Sequence, residues 1–233
     1  MHLAAPCRNV PVIFTLDVMN TSVDVQAVKA ASEAEVLRLG GKVCNWLPTV
    51  EIQSLRSAAE VADRTLAMHG MVQLAFNAPK EVIQTWLDQN NLSAALSNRE
   101  RDILANDGAL EEQQRTDLYW YIEALWGFTW VGSLIPSLNP TEPVGSNLAA
   151  LLPDIRVNQS CAKFRSTFRL RPMESMFHMV DLYYRSHWYA RDGQLNGYAT
   201  EPFSLDPIME RRKTLEWVSD STIEDWDDTP ADT

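Results

Sequence analysis

A chain of 233 residues with 45% hydrophobic and 22% charged side chains is long enough for a sizeable buried core and too apolar for wholesale disorder. Its net charge of −11 and pI near 4.8 argue against a protein that mainly holds duplex nucleic acid, because phosphate binding needs net Lys and Arg. The three cysteines, Cys7, Cys44 and Cys161, lack metal-ligand spacing, and neither a secretory signal nor a membrane span is visible, so a soluble cytoplasmic protein with reduced thiols is expected.

The first predicted element is a strand over residues 10–19, where Val12, Phe14, Leu16 and Val18 alternate onto one face. A helix follows from Val25 to Leu39, stopped by Gly40-Gly41. Ser57 and Glu60 have the spacing of a capping box and predict a helix running to about Phe76. Pro79 opens the next helix, which carries Val82, Ile83, Trp86 and Leu87, and a second capping box at Ser97 and Glu100 starts a short one. In EEQQRTDLYWYIEALWGFTWVGSL, Leu118, Ile122, Leu125 and Trp126 share one stripe, which gives the clearest helix of the chain. IPSLNPTEPVGS, with three prolines, reads as a loop. A second strand is predicted over 163–171, where Phe164, Phe168 and Leu170 alternate with a basic face of Arg165, Arg169 and Arg171. Pro172 opens a long helix to Leu195, and Pro207 opens the last, to about Val218. The expected fold is mainly α: a compact multi-helix domain over residues 26–233 with a minor β component, preceded by an N-terminal extension over residues 1–25.

No Gly-rich phosphate loop, zinc-protease motif or nucleophile elbow is present, so neither a cofactor nor catalytic residues are expected. Glu174 and His178 stand at i, i+4, not at the i, i+3 spacing of di-iron bundles. His178 and His187 are nine residues apart, which at about 100° per residue puts them on opposite helix faces, so no metal is expected either. His69 lies on the apolar stripe of Leu66, Val72 and Phe76 and reads as a core histidine with one hydrogen bond. Trp120, Trp126 and Trp130 read as packing surface before a ligand-stacking wall. The basic stretch from Arg156 to Arg171 carries little weight as a nucleic-acid patch, given the negative charge around it.

The polar residues of the C-terminal third follow a sequence of motifs: DLYYRSHWYARDGQLNG (181–197), LDPIMERRKTLEWV (205–218) and EDWDDTPADT (224–233). This succession resembles the bacterial family known as domain of unknown function 4272. RSAAEVADRTLAMHGMV, WLDQNNLSAALSNRE and YIEALWGFTWVGSL are similar to the middle section of the same family. The resemblance covers about residues 26 to 233. It implies a fold and a polar signature, and it brings no reaction with it. It also implies that the acidic tail belongs to the domain, with Trp226 as an anchor. The basic face of Arg165, Arg169 and Arg171 is the expected counterpart of the tail.

Physically, Asp181 precedes Arg185 by four residues, the favourable order for an ion pair on a helix. Glu123 sits among Ile122, Leu125 and Trp126 and needs a partner if buried, for which Arg185 or Arg211 is preferred. Together with His187 and Glu210 these residues form a structural lock or, in the alternative reading, the site of an enzyme of unknown reaction. Residues 100–154 hold nine acidic and two basic side chains. Asp102, Asp107, Glu111, Glu112 and Asp117 there, with Asp225, Asp227 and Asp228 in the tail, are candidates for binding a basic protein partner. The expected function is a non-catalytic, acidic immunity protein that neutralises a basic toxin of nuclease type, with neither nucleic acid nor membrane as partner.

Overall fold

The computed structural model describes residues 23–230, which hold nine α-helices. Helix α1 (Val25–Arg38) starts at Asp24, whose carboxylate accepts from the N–H groups of Gln26 and Ala27 at 3.1 Å. Helices α2 (Ala58–Ala75) and α4 (Asn98–Ala105) open on the two expected capping boxes, and α3 (Lys80–Gln89) follows Pro79. Helix α5 (Glu112–Val131) is the expected apolar one. Two short helices follow, α6 (Leu148–Leu151) and α7 (Ala162–Thr167). Helix α8 (Met173–Asn196) starts after Pro172 and ends at Gly197. The last, α9 (Leu205–Ser219), begins two residues before Pro207. A proline in the first turn costs no hydrogen bond, because those N–H groups have no partner within the helix.

In space the long helices pack in the order α1, α8, α9, α5, α2, α3. Helix α5 lies at the centre, burying Leu118, Ala124, Leu125, Phe128 and Val131. Its contact with α9 is unusually close at Gly127, where an added Cβ would stand 3.2 Å from Thr214 Cβ. That proximity lets the Thr214 hydroxyl donate to Ala124 O at 3.2 Å. Among the described residues, no helix is long and apolar enough to cross a membrane.

The strand expected over 163–171 is not formed. Residues Ala162–Thr167 are helical, and 168–171 form neither helix nor strand. Phe164 and Phe168 are four apart, a spacing that fits a helix as well as a strand, and both rings are buried. The Thr167 hydroxyl turns back on Lys163 O and Phe164 O, and the N–H groups of Arg169 and Arg171 go to Gly132 O and Val131 O at the end of α5. Phe168 lies directly on Gly132, where a Cβ would fall 2.2 Å from its ring. Packing onto α5 therefore replaces a ladder. The strand expected at 10–19 lies outside the described residues, as does nearly all of the N-terminal extension.

Candidate functional site

Five of the six polar residues expected to form one set are paired, but in three separate clusters. Arg185 forks onto Asp181 at 2.7 and 2.8 Å and also reaches Glu33 of α1 at 3.3 Å and Pro48 O at 3.1 Å. This cluster ties α8 to α1. Arg211, fully buried, pairs with Glu123 at 2.6 Å and donates to Asn139 O, Glu142 O and the Tyr183 hydroxyl. The proline-rich loop is thereby pinned over α9. Burial pushes the Tyr183 phenol up to about 12, against the pull of Arg211. In the third cluster Arg212 lies 2.7 Å from His187 Nδ1 and 3.2 Å from Glu216. A guanidinium can only donate, so Nδ1 accepts. Guanidiniums met this fully by carbonyls and carboxylates have few donors left for a substrate. Glu210 stands apart from all three.

The described part of the tail does not meet the basic face predicted for it. Arg165 pairs with Asp63 at 2.7 Å, Arg171 donates to Trp130 O and Ile135 O, and Arg169 donates to Phe168 O. The tail instead seats on the N-terminus of α4. Asp225 accepts from the Asn98 N–H and Asp227 from the Arg99 N–H, each at 2.9 Å, where the helix dipole favours carboxylates. Between them Trp226 is 3% exposed and packs on Phe128 and Trp217. Beneath it lies an ion pair the sequence reading missed, Arg64 bidentate on Glu100 at 2.6 and 2.7 Å, both side chains buried. Glu100 also closes its capping box by accepting from the Ser97 N–H at 2.8 Å. Burial opposes the charge on Arg64, and Glu100 more than offsets it, so its pKa is raised.

The tail's contacts account physically for the acidic, Trp-bearing terminal motif. The family model for the domain of unknown function (DUF4272) matches residues 28–229. The chain belongs to that family. No curated protein and no solved structure matches it.

In this DUF4272 chain the eight acidic residues expected to face a partner divide. Asp102, Asp107, Glu111, Glu112 and Asp228 are exposed. Asp117 is half-buried and bonded to Arg99 and Gln113, while Asp225 and Asp227 serve α4. Lys80 donates to Asn106 O and Gly108 O, and Arg115 to Ala75 O and Asn77 Oδ1. These bonds draw the end of α2, the start of α3, the α4–α5 loop and the start of α5 to one end of the molecule. That end carries Asp107, Glu111 and Glu112, with an exposed aromatic pair of Phe76 and Tyr119 whose rings are 6.0 Å apart. His69 is buried as expected, with Nε2 at 2.8 Å from Pro153 O, and burial lowers its pKa to about 4. Burial raises the Glu210 carboxyl to about 7, with Lys213 pulling the other way. Among the described residues, no three His, Cys, Asp or Glu side chains gather as a metal ion would require.

Proposed function

We propose that this chain is a non-catalytic binding protein for a basic protein partner, and specifically a bacterial, cytoplasmic immunity protein that neutralises a nuclease-type toxin. The observation that carries this reading is the end of the molecule where Asp107, Glu111 and Glu112 flank the exposed Phe76–Tyr119 pair. A protein interface is anchored by a few aromatic side chains and steered by charge at its rim, and this surface offers both to a cationic partner. The net charge of −11 extends the same attraction over the whole molecule. An enzyme built on Glu123, Asp181, Arg185, His187, Glu210 and Arg211 has less support, because most of these groups are spent on holding helices together.

The test is capture of partners on the tagged full chain from its source cells, and co-expression with any toxin encoded beside it. Rescue of growth by the chain, with a stoichiometric complex, supports the reading. A neighbouring toxin that kills undiminished, with no basic protein captured, sinks it.

A further inference from the structure

Glu210 and Lys213 lie one turn apart on α9, in the order and spacing that usually gives an ion pair on a helix. Neither side chain forms a hydrogen bond or an ion pair with the described residues, although the Glu210 carbonyl accepts from the Thr214 hydroxyl. Lys213 Nζ instead sits 4.7 Å from the centroid of the Trp226 ring. Both side chains are only partly exposed, and both line a cavity of about 140 Å³ walled by Trp120, Tyr121, Leu118 and Trp226. Arg99 and Asp117, bonded to each other, line it as well, and Ile103, Gln114 and Asp227 complete the wall. A sheltered carboxyl and ammonium left unpaired in one aromatic pocket are uncommon, because each lacks the partner that offsets its desolvation.

The chemistry of an occupant follows from these walls. The ammonium can only donate, so it needs an acceptor, and the carboxylate needs a donor. Arg99 and Asp117 cancel, as do Glu210 and Lys213, and the Asp227 carboxylate leaves the wall with one negative charge in excess, so an anionic guest would be disfavoured. A dry cavity of about 150 Å³ admits a molecule the size of benzene, which sets the scale. Flat indole walls favour a planar group. The geometry points to a binding site for a small, planar, neutral molecule with a primary amide edge, its carbonyl accepting from Lys213 Nζ and its NH2 donating to Glu210. Burial lowers the Lys213 pKa and raises that of Glu210, as expected for two groups that lack a partner. This site lies on different residues from the proposed acidic docking surface and stands without it.

The probe is acetamide, titrated into the isotope-labelled full chain at pH 8, where Glu210 is ionised, with the tryptophan indole N–H signals observed by NMR. Saturable shifts at Trp120 and Trp226, with exposed Trp46 unmoved, are the expected result. Acetate under the same conditions should bind far more weakly, since its carboxylate faces that of Glu210. Lys213→Met should weaken acetamide at least about tenfold, the loss of one charge-assisted hydrogen bond. No saturable shift at these two indoles would mean that the cavity holds water only and would overturn the assignment. Acetate binding as tightly as acetamide would overturn it as well. Should Lys213→Met fail to fold, the comparison of the two probes on the unaltered chain decides alone.

Discussion

His69 and Glu210 both lie where water is scarce and both are held toward their neutral forms, with opposite consequences for stability. His69 falls from the usual 6.5 to about 4 in the fold. Its contribution is full above about pH 6.5 and is lost as pH falls toward 4, because the unfolded chain takes up the proton first. Glu210 rises from 4.5 to about 7, so the folded chain holds a proton the unfolded chain releases, and stability is lost as pH climbs from 4.5 to 7. Burial is the main cause, opposed by Lys213 and reinforced by Asp117, Asp206 and Glu123. Glu210→Gln should therefore add on the order of 2 kcal/mol at pH 8 and almost nothing at pH 4.5, measured by urea unfolding. An equal gain at both pH values would show that packing, not charge, is responsible. The Arg64–Glu100 pair makes a sharper case. Glu100→Ala should cost about 3–5 kcal/mol by stranding a buried guanidinium, and adding Arg64→Met should recover part of that loss. The sequence exposed Asp181–Arg185 through local spacing, and the apolar stripe around Glu123 showed that it needs a partner, left open between Arg185 and Arg211. It hid Arg64–Glu100, whose partners are 36 residues apart and meet only when α2 and the α4 cap have packed.

At the scale of elements, capping residues set several helix starts before tertiary structure acts. Asp24, Ser57 and Ser97 each bond to the first turn they introduce, so those starts were readable. The stretch 163–171 was misread because Phe164 and Phe168 satisfy both periods, and only the absence of a partner strand decides between them. The tail was half readable: Trp226 is the anchor, but its seat on α4 depends on a distant helix end. Removing residues 224–233 takes away that indole and both carboxylates on the α4 N-terminus. It should cost about 3–5 kcal/mol, comparable to truncating a large core side chain. Asp225→Ala and Asp227→Ala should cost about 1 kcal/mol each, the value of a helix cap. Thermal melting of the three variants separates packing from capping, and an unchanged midpoint for the truncation would remove the tail from the fold.

Over the whole molecule, the apolar stripes of α2 and α5 announce a helical core, yet nothing local says that α5 stands between α2 and α9. That order follows from complementary surfaces such as Gly127 against Thr214, which appear only once both helices exist. The same limit applies to charge. The excess of carboxylates in residues 100–154 was visible, but not that Asp117 would be spent on Arg99 while Glu112 and the α5 N-cap Glu111 stay exposed. With the internal pairs set aside, Asp107, Glu111 and Glu112 around Phe76 and Tyr119 remain exposed, and they are the surface proposed for a basic partner. Steering and anchoring there should separate experimentally, because long-range attraction acts on encounter and buried aromatic area acts on dissociation. Glu111→Lys with Glu112→Lys should slow association with the captured partner several-fold and flatten its dependence on salt, since exposed charges are screened over about 10 Å at 0.1 M. Tyr119→Ala should leave association nearly unchanged and speed dissociation by about tenfold or more, as expected for an interface anchor. Tyr119 is half exposed, so this substitution should leave the melting temperature where it was. Surface binding kinetics at two salt concentrations check both effects, and charge reversal that leaves the association rate and its salt slope intact would move the partner to another face.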